Sequence, residues 1–144
     1  MPNEMAHITA ARRHQEAVDY LKARLDCFSD WVCTIAFYKA LHIVEAVFAT
    51  RGIHATNHEH RESILKRERQ YAQLWRHYRP LWSASMVARY LQGDGAEAYR
   101  CFGDYLAPEQ LEQFILEHHV RQIERSAASF LSPQARAALR GQPS

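Results

Sequence analysis

The sequence predicts an all-α fold, an up-and-down bundle of four to five main helices. Its 144 residues include only 5 glycines and 5 prolines, too few for the many turns of an all-β protein. Hydrophobic residues make up 47% of the chain, and they recur at helical intervals of three and four residues. We expect one helical domain over residues 1–131, followed by a flexible tail over residues 132–144.

The first two helices are predicted from apolar periodicity and from capping residues. One covers about Met5–Leu25, with charged side chains on its outer side. The next begins after a cap at Ser29 or Asp30 and runs to about Thr50. Apolar residues surround this second helix almost completely, so we expect it at the centre of the bundle. Gly52 ends it, because glycine accepts the left-handed backbone that closes many helices.

The third helix is predicted to begin at a cap on Thr56 or Asn57 and to run to about Gln70. Helical character continues beyond it until Pro80, which lacks a backbone N–H group and is expected to break or restart the helix. Because proline fits a first helical turn, a further helix is expected over Leu81–Leu91.

The last long helix is predicted to open at Pro108 and to end before the Ser132–Pro133 pair. Its apolar residues alternate steps of four and three along one side: Leu116, Val120, Ile123, Ala127 and Phe130. Glycines mark a loop before this helix, with one or two helical turns expected over Ala96–Leu106. The C-terminal helix is therefore taken as residues 108–131.

Cysteine content and hydropathy indicate a cytoplasmic protein. Cys27, Cys33 and Cys101 form an odd set without a CxxC pair, which argues against a disulfide framework and fits a reducing compartment. No signal peptide is evident in the sequence. The apolar stretch Trp31–Ala49 is interrupted by charged side chains such as Lys39, so we predict a buried bundle helix and no membrane partner.

A line of polar residues on the second helix is the first candidate site. Tyr38, His42 and Glu45 stand four and three residues apart, which places them on one face of an otherwise apolar helix. Buried polar groups need partners. The expected partners are basic residues from later segments: His58, Arg61 and Arg89. The line is either a catalytic or phosphate-facing surface, or a satisfied polar network that fixes helix register.

The second candidate is the pair Arg51 and His58, with six residues between them and Arg61 close behind. Cleavage of RNA without a metal needs a proton-transfer group and a cation that holds the phosphate, and histidine and arginine supply these. Residues 51–79 also carry seven basic side chains interleaved with aromatic ones, as single-stranded RNA surfaces do. The alternative is a solvated helix face with Glu–Arg pairs.

No metal and no cofactor are predicted. His58-x-His60 and His118-His119 resemble zinc ligands, but ligands on a helix usually stand three or four residues apart, and the sequence shows no third ligand. The chain also has no glycine-rich phosphate loop and no nucleophile elbow.

The same residues resemble a HEPN domain, a small helical family of prokaryotic toxin–antitoxin and phage-defence systems. The resemblance covers about residues 6–91. It rests on three segments: DWVCTIAFYKALHIVEA (Asp30–Ala46), NHEHR (Asn57–Arg61) and SASMVARY (Ser83–Tyr90). Arg89 and Tyr90 match a late Arg–Tyr position of the family.

The resemblance implies an up-and-down bundle that is usually dimeric. Active members are metal-independent ribonucleases with an R-x4-6-H motif at the dimer interface, where the histidine serves in acid–base chemistry and the arginine holds phosphate. That motif normally sits late in the chain, near the helix that contains Arg89, which has no histidine four to six residues beyond it. The one formal match here is Arg51 to His58, earlier in the chain.

On this resemblance we expect a HEPN-like component of a defence or toxin–antitoxin system that engages single-stranded RNA. It is a candidate metal-independent endoribonuclease, with His58 in the acid–base role and Arg51 or Arg61 holding phosphate. Glu45 and His42 would orient them. The alternative is a non-catalytic interaction subunit that forms a homodimer or docks a partner protein.

Overall fold

Helices dominate the computed structural model, which describes residues 1–93, 95 and 97–141, and the all-α bundle is confirmed. Its first four helices are α1 (Glu4–Leu21), α2 (Leu25–Ala49), α3 (His58–Arg67) and α4 (Ala72–Tyr90). Short 3-10 turns, Lys22–Arg24 and Arg69–Tyr71, join α1 to α2 and α3 to α4. Within the described residues, the only β-type pairing is an isolated bridge between Gln92 and Ala98.

The C-terminal part is a rod of three consecutive helical pieces and a final short helix. The pieces are α5 (Pro108–Gln110), a π-helix (Leu111–Val120) and α6 (Arg121–Ala128), which we call the C-terminal rod. The last helix is α7 (Pro133–Leu139). Of the turns expected over residues 96–106, the structure has one 3-10 turn, Phe102–Asp104; Ala96 lies outside the described residues.

α2 occupies the centre of the bundle, as its composition predicts. It packs against α1, α4 and the C-terminal rod, and Phe37, Ile43 and Phe48 are fully buried along it. Its start differs from the prediction: the helix begins before the expected cap and bends at Phe28, which has non-helical backbone angles. The second-helix boundary predicted at Ser29 or Asp30 is therefore a kink within α2.

Two other predicted boundaries have clear outcomes. Asn57 caps α3, with its side chain accepting a hydrogen bond from the His60 amide at 2.8 Å. Pro80, in contrast, lies inside α4 and neither breaks nor restarts it. Proline forfeits one backbone hydrogen bond. Leu74 and Leu81, buried on either side of it, hold both halves of α4 against the same core, and this packing outweighs the lost bond.

Residues 132–141 do not form the flexible tail that the sequence predicts. Ser132 caps α7 and hydrogen-bonds to Glu4 through both its amide, at 2.9 Å, and its hydroxyl, at 2.7 Å. Ala135 and Leu139 are buried against the bundle. The polar, alanine-rich composition misled the prediction because alanine buries well on a helix packed closely against another, here α1. Residues 142–144 of the predicted tail lie outside the described residues.

The apolar α1–α2 stretch also passes a length and composition test for membrane spans. The window lies within Glu4–Ala49, and 72% of it is buried inside the bundle. A core helix of a helical bundle passes the same test, so this stretch is weak evidence for a membrane partner.

Candidate functional site

A buried ion pair anchors the candidate site. Arg61 of α3 donates from Nε to Glu45 Oε1 of α2 over 2.7 Å, and only 7% of Arg61 and 3% of Glu45 is exposed. Charges this deeply buried are retained only when paired. The pair holds the start of α3 against the middle of α2. Arg61 is thus a partner of Glu45, as the sequence predicts.

His58 lies beside this pair, in the first turn of α3. Its Nδ1 is 3.1 Å from Arg61 Nη1. A guanidinium can only donate, so Nδ1 accepts and the proton of the neutral imidazole sits on Nε2. Burial, then the charges of Arg61 and Arg89, lower the pKa of His58 below its usual 6.5. His58 is therefore neutral near pH 7, with an N–H group to offer at Nε2.

Arg89 of α4 has a different environment. Its guanidinium donates to the Tyr38 hydroxyl at 3.2 Å and to the Ser85 carbonyl at 3.3 Å. It also lies 5.7 Å from the ring centroids of Phe37 and Tyr38 and 5.2 Å from that of Tyr90. Within the described residues no carboxylate forms a salt bridge with it. Its contacts among the described residues are with uncharged groups: neutral oxygens, the Met86 sulfur and aromatic faces.

His42 faces α1 and not the arginines. Its Nδ1 lies 3.1 Å from His7 Nδ1, and its ring centroid lies 5.3 Å from that of His14. Burial, then His7, His14 and Arg61, lower the pKa of His42 to about 4. The structure thus places His42 in a neutral histidine contact between α1 and α2, away from the orienting role expected for it.

Arg51 also lies apart from the expected cluster. It is exposed in the turn after α2, and within the described residues its side chain makes no hydrogen bond or ion pair with His58 or Arg61. The formal R-x6-H spacing therefore does not bring the arginine and the histidine together within one chain. The two cations whose charges lower the pKa of His58 are Arg61 and Arg89, and Arg51 is not among them.

Two exposed aromatic side chains extend the site, and one of them was not predicted. Tyr90 packs against the guanidinium of Arg89 and is 60% exposed. Trp31 is also 60% exposed and precedes Tyr38 by seven residues, which places both on one face of α2. The spacing of Trp31 was visible in the sequence, but its exposure on an otherwise apolar helix was not.

A second cluster contradicts the expectation that the sequence holds no third ligand for His118 and His119. His118 and His119 belong to the π-helix, and His77 of α4 lies beside both of them. Burial, then His118 and His77, lower the pKa of His119 to about 4. The sequence around His77 does not predict this contact, because the contact depends on how α4 packs on the C-terminal rod.

In comparisons with known proteins, no family model, curated protein or solved structure matches this chain. The geometry described above is therefore the basis for any assignment of function, together with the motif resemblance.

Proposed function

We propose that this protein is a cytoplasmic, HEPN-like component of a prokaryotic defence or toxin–antitoxin system that binds single-stranded RNA. The proposed binding surface consists of His58, Arg89, Tyr90 and Trp31, and we call it the RNA surface. The observation that carries the proposal is the charge of Arg89, which has no carboxylate partner within the described residues and which, like His58, lies near the ring of Phe37.

The partners of Arg89 suit exchange for a phosphate. Its contacts to Tyr38 and Ser85 are 3.2 and 3.3 Å long and involve neutral oxygens. A phosphate is an anionic acceptor that arginine can bind through two parallel, short hydrogen bonds, so it is a stronger partner than these oxygens. A phosphate at this position would also receive the Nε2 hydrogen of His58, and it would lie near the N-terminus of α3, where the helix dipole favours negative charge.

The exposed aromatic residues supply the second half of RNA recognition. Tyr90 and Trp31 each expose 60% of their surface, which is unusual for large aromatic side chains. Bases of single strands stack on such rings with little sequence preference, and each stacked base contributes about 1–3 kcal/mol. Because the phosphate-binding and stacking groups occur together, a single strand fits better than a duplex, whose bases are already stacked.

Arg61 has a positioning role in this proposal. Glu45 neutralises its charge inside the bundle, so little of it is left for a phosphate. One N–H group of its Nη1 fixes the tautomer and orientation of His58. This replaces the expected phosphate role of Arg51 or Arg61 with one for Arg89.

The second candidate function is metal-independent cleavage of the bound RNA. It is favoured by a histidine whose pKa is lowered by burial and by the charges of two guanidinium groups, since cleavage needs a base and cations around the phosphate. The base role requires a free ring nitrogen, so His58 would have to release Nδ1 from Arg61 or exchange tautomer. A second copy of the chain would supply the acid through its own His58.

The test measures binding and cleavage in one preparation. Labelled single-stranded RNA is incubated with the purified protein in EDTA, and binding is read by fluorescence anisotropy while chain length is read on a gel. We expect binding of intact RNA, and about fivefold weaker binding for His58→Ala because one hydrogen bond to phosphate is lost. His60→Ala is the matched control, since His60 is exposed two residues further along, on the other side of α3, and this variant should bind as the parent does.

Each of the other possible outcomes would contradict one part of the proposal. RNA decay with the parent but not with His58→Ala would replace the binding role by the endoribonuclease. Equal decay with both would remove the nuclease role. A parent protein that binds no RNA, yet elutes as a dimer in light scattering, would overturn the proposal in favour of a non-catalytic interaction subunit.

A further inference from the structure

Three histidines from two helical segments meet on the C-terminal rod. His77 comes from α4 and is only 6% exposed, whereas His118 and His119 come from the π-helix. One ring nitrogen from each lies within 4.8 Å of those of the other two. The ring centroids form a closed triangle with sides of 4.7, 5.3 and 5.3 Å.

The distances are compatible with a common metal ion. His77 Nδ1 and His119 Nδ1 are 3.1 Å apart. In a tetrahedral zinc site with Zn–N bonds of about 2.0–2.1 Å, ligand nitrogens lie roughly 3.3 Å apart. Without an ion, these two nitrogens form one hydrogen bond, and among the described residues no carboxylate pairs with any of the three rings.

The backbone of this segment explains how consecutive histidines can serve one ion. On an α-helix neighbouring side chains diverge by about 100°, so ligands usually stand three or four residues apart. Leu111–Val120 is a π-helix, whose wider turn reduces that divergence. π-Helical segments are rare and are concentrated at functional sites. The spacing argument against a metal site at His118 and His119 therefore does not apply to this backbone.

A comparison within the chain shows that histidine content alone does not produce such an arrangement. His7 and His42 also approach to 3.1 Å, with His14 nearby. The Nδ1 of His14, however, faces the Ala10 carbonyl at 2.6 Å. Among the described residues, only His77, His118 and His119 offer three convergent ligand atoms.

We propose that His77, His118 and His119 bind one divalent transition-metal cation of the Zn²⁺ type. Imidazole is a preferred ligand of Zn²⁺, and three protein nitrogens leave a fourth position for water. Because His118 is exposed, that position faces solvent. The ion would also tie α4 to the C-terminal rod. This site shares no residue with the RNA surface, and the proposal is independent of the RNA-binding function.

The experiment uses the full chain without a histidine tag, stripped with EDTA and dialysed. Calorimetric titration with ZnCl₂ near neutral pH should show one ion per chain. The exposed His118→Ala variant should fold as the parent does and bind at least about tenfold more weakly, since one of three ligands is lost. His119→Gln should bind more weakly still. His42→Gln is the matched control, and its affinity and stoichiometry should equal those of the parent.

Co²⁺ gives an independent readout, because its visible absorption is intense in tetrahedral and weak in octahedral coordination. The intense spectrum should appear with the parent and with His42→Gln, and it should be lost in His118→Ala. An absence of saturable Zn²⁺ binding by the parent, or equal affinity in the parent and His118→Ala, would overturn the proposal. Since RNA binding is measured in EDTA, failure of either proposal leaves the other to its own test.

Discussion

The charges of Arg61 and Arg89 both lower the pKa of His58, but the two arginines lie in opposite kinds of environment. Arg61 is buried and donates to a buried carboxylate, Glu45, at 2.7 Å. Arg89 is half-buried on aromatic rings and donates to neutral oxygens of Tyr38 and Ser85. A guanidinium cannot lose its charge, so its surroundings decide whether it stabilises the fold or binds an outside anion. Arg61 belongs to the first kind, and Arg89 is suited to the second.

The largest effect is expected when the partner of Arg61 is removed. Glu45→Gln leaves the buried guanidinium without a countercharge, which should lower the free energy of unfolding by about 3–5 kcal/mol. Arg89→Gln should lower it by about 1 kcal/mol or less, because only weak neutral contacts are lost. Urea denaturation followed by circular dichroism measures both changes.

Two further variants control this comparison. Glu16→Gln removes an exposed carboxylate from α1 and should stay within about 0.5 kcal/mol of the parent. Combining Glu45→Gln with Arg61→Met removes the stranded charge and should regain part of the lost stability. Parent-like stability of Glu45→Gln would contradict the structural role assigned to the pair.

The middle-sized effect concerns RNA affinity. Arg89→Gln should weaken binding of single-stranded RNA about tenfold and reduce the slope of log affinity against log salt by about 0.7, the value for one lost phosphate contact. Arg51→Gln makes the same charge change at an exposed arginine away from the cluster and should alter affinity by less than about twofold. Anisotropy titrations at several salt concentrations measure both. Equal losses in the two variants would show that only net charge matters.

Local sequence patterns predicted the helices and part of the site. The positions of Tyr38 and Glu45 on one face of α2 follow from helical periodicity alone. The need to pair a buried carboxylate made Arg61 a reasonable partner, and the structure brings the two together. These successes share one cause, which is that a buried charge strongly limits the arrangements a chain can adopt.

The remaining contacts depend on how helices cross, and a single sequence does not contain that information. Which residues of two helices meet is set by their crossing angle and axial offset. His42 therefore meets His7 of α1 and not the arginines, and His77 meets His119. The predicted contact between Arg51 and His58 does not form for a related reason. The six residues between them include a turn whose direction the spacing does not determine.

The smallest predicted effect is on the pKa values of two histidines, which differ in their response to Arg89. Burial comes first among the causes that lower the pKa of His58, and both Arg61 and Arg89 add to it. For His42, whose pKa is about 4, the charges that contribute are those of His7, His14 and Arg61, and Arg89 is not among them. Arg89→Gln should thus raise the pKa of His58 and leave that of His42 unchanged, as measured by NMR titration of the imidazole protons.

The lowered pKa values of His42 and His58 also determine how the stability of the fold changes as pH falls. Both imidazoles bind protons more weakly in the folded chain than in the unfolded chain, whose histidines titrate near 6.5. Between pH 6.5 and the folded pKa of His42, about 4, the unfolded chain holds more protons, so stability is full above this window and is lost as pH falls through it. Raising the pKa of His58 by Arg89→Gln should reduce that acid loss. An unchanged acid loss in the variant would show that Arg89 does not act on His58.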